Sequence, residues 1–175
     1  MPKTIARPAS NEYAPFYGGY VGAVPEGDFL PLLERQGNET AALLRAVSEK
    51  KSQHRYAPGK WSIREVVGHL TDAERVFTYR ALSFARGDAT PLPSFDENTW
   101  AATSNADRRP LGDLISDFEA VRAATLALLR GFDEEQFAHA GIASGHQVTV
   151  RALAYIVAGH ERHHVRILRE RYLSS

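Results

Sequence analysis

Four stretches of this chain repeat apolar residues at helical spacing, and the segments between them are punctuated by proline, glycine and small polar residues. In the first, Phe29, Leu33, Leu43, Leu44 and Val47 hold one phase and predict a helix over about residues 28–51. That phase survives Gly37, although a mid-helix glycine costs about 1 kcal/mol. The second start is the best marked. Ser62 and Glu65 form a capping box, Trp61 and Val66 a hydrophobic staple, and Ile63, Val66, Val67, Leu70, Phe77, Ala81 and Phe84 carry a helix over 62–86. Pro110 suits a first helical turn, and Leu111, Leu114, Ile115, Phe118, Val121, Thr125 and Leu128 extend the third helix to about Arg130. Thr149 caps the fourth, over 149–173, with Val148 and Leu153 as its staple.

Between the second and third helices, GDATPLPSFDENTWAATSNADRR forbids a long regular element, although DENTW suits a short helical turn, as do Asp133 to Phe137. Residues 1–27 read as an irregular arm whose Tyr13, Phe16, Tyr17 and Tyr20 favour packing on the domain over a trailing tail. No strand and no internal repeat is predicted. The expectation is a single all-α domain over 1–175, a four-helix bundle with connections long enough to permit orders other than up-and-down.

Composition narrows the partners. Lys plus Arg and Asp plus Glu number 21 each among 175 residues, so no charge excess draws the chain to nucleic acid or an anionic membrane. Cysteine is absent, which excludes disulfides, thiolate metal sites and a cysteine nucleophile, so any thiol chemistry needs a thiol brought in as a cosubstrate. The opening residues lack the apolar core of a secretory signal, and no window approaches the roughly 18 apolar residues of a membrane span. A soluble cytoplasmic protein is expected.

The fourth helix carries the chemistry. In AYIVAGHERHHVRIL, the apolar face is centred near Leu153, and His160 and His164 fall within about 20° of that centre. Both point inward, whereas His163 lies about 80° aside, at the boundary. Buried imidazoles need partners. Hydrogen bonds or buried water are one solution, and a metal ion is the other, since histidines at i and i+4 stack on one face and offer two nitrogens to one ion. His69, beside the stripe of the second helix, is the candidate third ligand; His54, His139 and His146 fall in predicted loops.

The letters HERHH also satisfy the H-E-x-x-H pattern of zinc peptidases, with Glu161 as general base. That reading lacks its next ligand. Ile167 stands where a glycine turn is needed, Glu170 turns away on a continuous helix, and no sheet edge is predicted to receive a peptide.

The segments PGKWSIREVVGHLTDAERVFTYRAL and VTVRALAYIVAGHERHHVRILRERYL resemble the DinB-like superfamily, including its YfiT-like members. The arm EYAPFYGGYVGAVPEGD, the linker PLPSFDE and the helix FEAVRAATLALL share the resemblance, which spans most of the chain. It implies a four-helix bundle of non-sequential helix order, one divalent ion per chain, often nickel or zinc, held by three histidines, and frequently a homodimer. By motif match the triad is His69, His160 and His164. Such proteins include transferases that couple low-molecular-weight thiols to electrophiles, a thiol-dependent isomerase and metal-dependent hydrolases.

Three neutral imidazoles leave an ion its full charge and an open position, where a water or a thiol is ionised near neutral pH. Asp72, one turn beyond His69, and Glu161, beside His160, are the nearest carboxylates by sequence for orienting imidazoles or moving protons. The competing expectation for each is a solvated helix face paired with arginines. The functional expectation is a metal-dependent enzyme acting on a small molecule, with thiol S-transfer placed ahead of hydrolysis. A non-catalytic metal-binding or stress protein, and a metal-free buried histidine network, are the alternatives.

Overall fold

The computed structural model describes residues 5–174. In chain order the helices are α1 (Gly18–Ala23), α2 (Phe29–Arg45), α3 (Glu49–Ser52), α4 (Ile63–Ala85), α5 (Glu97–Thr103), α6 (Leu111–Gly131), α7 (Glu134–Ala138) and α8 (Val150–Ile167). A hairpin of β1 (Ala140–Ala143) and β2 (His146–Thr149) precedes α8, which ends in a wider π-helical turn over Leu168–Tyr172.

The long helices α2, α4, α6 and α8 form the bundle. The boundaries follow the caps. The Ser62 hydroxyl accepts from the Glu65 amide while the Glu65 carboxylate accepts from the Ser62 amide, and Thr149 Oγ1 accepts from the Ala152 amide. Neighbours are not sequential: α2 packs on α6, α6 on α4, and α4 on α8, which closes the ring against α2. The resemblance implied an order of this kind, and the all-α four-helix bundle is the fold.

Four expectations from the pattern need correction. The first long helix stops at Arg45, and Ser48, whose side chain accepts from the Lys51 amide, starts the separate turn α3. The polar stretch before α8 contains an antiparallel hairpin, because Ser144 and Gly145 take left-handed φ of 53° and 78°, the geometry of a tight two-residue turn. The arm is not wholly irregular: α1 forms although it holds three glycines, since packing along α8 outweighs its weak propensity. On α6 the inner face runs through Arg122, Leu126 and Leu129 rather than through Val121 and Leu128, so an arginine fills a core position.

That arginine belongs to a layer. One apolar cluster holds Leu33, Phe77, Leu126 and Ala158, and another holds Ala41, Val67, Ile115 and Leu168. Between them each long helix contributes buried polar groups: Gln36 and Thr40 from α2, His69 and Glu74 from α4, Arg122 from α6, His160 and Glu161 from α8. A polar stratum therefore divides the hydrophobic core.

Candidate metal centre

His69 sits in the second turn of α4, and His160 and His164 are one turn apart on the antiparallel stretch of α8. Helical spacing places the α8 pair on one face, and the α4/α8 seam brings His69 against them. One ligand atom from each of the three lies within 4.8 Å of the others, and His69 Nε2 stands 2.9 Å from His160 Nε2. His69 and His160 are buried and His164 partly so.

The electrostatics follow from burial. Desolvation pulls the His69 pKa down to about 4 and that of His164 to about 3, the latter aided by the neighbouring His69 and His163. His160, the deepest, is also driven well below its ordinary value by burial first and by the adjacent imidazoles second. All three are neutral at physiological pH, with lone pairs available to a cation. A tetrahedral ion with metal–nitrogen bonds of ordinary length needs ligands about 3.4 Å apart, which the observed separations bracket. The donor set fits a borderline divalent metal.

A stability profile tests this description of the metal-free protein. An unfolded histidine titrates near 6.5 and the folded imidazoles far lower, so acid protonates the unfolded chain first. Chelator-treated protein should lose stability progressively as pH falls from 6.5 toward 4 for His69 and toward 3 for His164. Urea titrations at pH 7 and pH 5 check this; equal stabilities would mean that the folded imidazoles take up protons over the same range as those of the unfolded chain.

Aromatic residues wall the cluster. Trp61, just ahead of the α4 cap, has its ring 4.7 Å from His69 and stacks at 6.3 Å on His164. Tyr20 of α1 lies 5.5 Å from His160 and 5.4 Å from His163, and Phe77 lies 5.8 Å from His160. His69 and His160 open on a cleft of about 470 Å³, lined also by Phe16, Tyr17, Phe95 and Arg80, with Glu97. Burial, with Glu97 as a second cause, raises the Tyr20 phenol above its ordinary range.

The two carboxylates offered by the sequence are placed elsewhere. Glu161 is buried with its oxygens turned to α2 and α6, accepting from Thr40 Oγ1 at 2.5 Å, Gln36 Nε2 at 2.5 Å and Arg122 Nη2 at 2.7 Å. Its partner is an arginine, as the plain alternative held, but inside the core and not in solvent. With its acceptors taken, Glu161 is no peptidase base. Asp72 pairs with Arg75 at 3.1 Å and borders a separate apolar recess of about 360 Å³ with Tyr79, Leu92 and Trp100. His163 stays at the boundary against Tyr20, while His139 Nδ1 lies 3.2 Å from the Phe84 carbonyl, and the His54 and His146 rings lie edge-on to those of Tyr172 and Phe16.

Sequence reasoning passed over Gly159. A Cβ there would lie 2.0 Å from the Tyr20 carbonyl oxygen, so the missing side chain is what lets α1 seat against α8 beside His160. Its signal was a helix-interior glycine adjoining an inward histidine.

A fold of this topology with three imidazoles converging at the α4/α8 seam defines a helical bundle with a histidine cluster, and the comparisons give it a family. Residues 32–168 match the sequence profile of the DinB superfamily, and the chain belongs to that superfamily. A protein of Oceanobacillus iheyensis named "putative metal-dependent hydrolase" is 24% identical over 140 residues, covering 79% of this chain and 80% of its own. A like-named protein of Geobacillus kaustophilus is 28% identical over 113 residues, 62% of each chain. Among solved structures, YfiT from Bacillus subtilis, titled "a probable metal-dependent hydrolase with an unusual four-helix bundle topology", superposes with a TM-score of 0.74 at 18% identity. That match covers 81% of this chain and 82% of the other and bears on the fold.

Proposed function

We propose that this protein is a divalent-metal-dependent enzyme acting on a small molecule, with His69, His160 and His164 holding the ion. The observation that carries the reading is the convergence of three neutral imidazoles, two buried and one partly so, within 4.8 Å of one another, with His69 and His160 opening on an aromatic cleft. An ion bound there supplies a Lewis acid that ionises a water or a thiol near neutral pH. The chain's own residues supply the rest. Trp61 and Phe77 shield two faces of the imidazoles from bulk water, and the aromatic cleft walls bind the apolar part of a substrate.

Thiol S-transfer is the finer reading. Neither Glu161 nor Asp72 is presented to the cluster, and a thiol cosubstrate asks less of a carboxylate base than water does, since a bound divalent ion would favour its thiolate. The names of the relatives favour hydrolysis, for which Glu97 is the carboxylate lining the cleft. The ion's identity, zinc or nickel, follows supply as much as ligand type.

Tag-free protein purified without chelator should carry about one divalent ion per chain by elemental mass spectrometry, and His69→Ala and His164→Ala should carry little. Loaded protein should then consume a low-molecular-weight thiol against an electrophile in proportion to its metal content. A parent protein that takes up no zinc or nickel defeats the reading. A loaded protein that hydrolyses esters or amides but ignores thiols replaces transfer with hydrolysis.

A further inference from the structure

Three arginines are buried in the described residues: Arg64, Arg80 and Arg122. Arg64 pairs with Glu49, and Arg122 with Glu74 and Glu161. Arg80 alone has no carboxylate partner among the described residues, although it is 3% exposed. Its Nη2 donates to the Pro93 carbonyl at 2.6 Å and to Ser144 Oγ at 3.1 Å, and its Cζ lies 5.9 Å from the Phe77 ring centroid. A guanidinium keeps its charge at any physiological pH, so a buried one without an anion is costly unless something supplies the anion.

Its position says what that is. Arg80 borders the same cleft as His69 and His160. The Phe77 ring stands between, 5.9 Å from the guanidinium carbon and 5.8 Å from the His160 ring. Tyr17 and Ser144 flank Arg80 in the cleft lining, and Tyr17 feels its charge. Glu97 lines the cleft too but forms no ion pair with Arg80.

We infer that Arg80 receives the anionic headgroup, carboxylate or phosphoryl, of a small substrate whose apolar segment lies along Phe77 and whose reacting end faces the three histidines. The orientation of the reacting end rests on the function proposed above; the anion subsite does not. Arg80 is thus a specificity residue, and the substrate class is a small organic anion with an apolar middle.

Calorimetric titration with 3-phenylpropionate, the uncharged 3-phenylpropionamide and 2-phenylethylphosphonate tests the subsite on the parent protein, Arg80→Gln, Arg80→Lys and His164→Ala. A charged probe should bind the parent at least about tenfold more tightly than the amide, as a charge-assisted hydrogen bond implies. Arg80→Gln should erase that preference, Arg80→Lys should keep part of it, and His164→Ala should leave it in place. Whichever of the two charged probes wins identifies the headgroup. Equal binding of amide and anions, survival of the preference in Arg80→Gln, or no detectable binding of either anion at millimolar concentration overturns the assignment. Should Arg80→Gln fail to fold, Arg80→Lys and the parent comparison decide. Metal content is measured separately, so loss of the metal reading and loss of the anion subsite remain distinguishable.

Discussion

Arg122→Met should destabilise the protein by about 3–5 kcal/mol, the usual consequence of removing one partner from a buried charge network. The guanidinium donates through Nε and Nη2 to Glu74 at 3.0 and 2.8 Å, through Nη2 to Glu161 at 2.7 Å, and through Nη1 to the Leu33 carbonyl at 3.0 Å. Two carboxylates therefore lose their cation inside the core. Both acids are within a few percent of complete burial, so water cannot replace it without opening the bundle. Methionine keeps much of the volume, which isolates charge from cavity. Adding Glu74→Gln to Arg122→Met should recover part of the loss, because one of the stranded charges is then gone. Urea unfolding measures both variants; a deficit under about 1 kcal/mol for Arg122→Met would show that the network contributes little.

Gly159→Ala should detach the arm at α1. The new Cβ would meet the Tyr20 carbonyl oxygen at 2.0 Å and its carbonyl carbon at 2.4 Å, and backbone cannot yield as a flexible side chain can. Alanine favours the helix by about 1 kcal/mol, yet the overpacking penalty of about 1–3 kcal/mol opposes it and falls on the α1/α8 contact. Amide hydrogen exchange should accelerate across residues 18–23 while α4 and α6 stay protected. Because Tyr20 walls His160 and His163, the cleft should open to solvent in the same variant. Unchanged exchange in α1 would show that the arm adapts without leaving.

The long helices were legible because each buries an apolar stripe, and the caps at Ser62 and Thr149 marked two starts closely. The inward direction of His160 and His164 was legible for the same reason. Glu161 was not. One position from His160, it reads as the edge of an amphipathic face, but α8 is contacted by α4, α1 and α2, so its buried arc is wider than its apolar stripe. Arg122 and Gly37 hid each other in the same way. An arginine looks like surface and a helix glycine like a weakness, yet a Cβ at Gly37 would lie 2.8 Å from Arg122 Nη1, so the glycine makes room for the arginine to enter the core. Arg80 escaped notice because pattern reading assigns arginines outward, and its burial depends on the connection carrying Pro93 and the hairpin turn at Ser144.

The ring order α2, α6, α4, α8 has a consequence for assembly. In a sequential bundle each helix can zip onto the one just made as a local hairpin. Here α2 must wait for α6, and α4 gains its α8 neighbour only after α6 and the hairpin have been made. The pair His69 and His160 is separated by 91 residues, so no nascent chain lacking α8 can assemble the histidine cluster. Loop closure thus precedes contact, which slows folding relative to hairpin-built bundles of the same length. The histidine cluster is thus among the last features to form, since it needs α4 and α8 already docked.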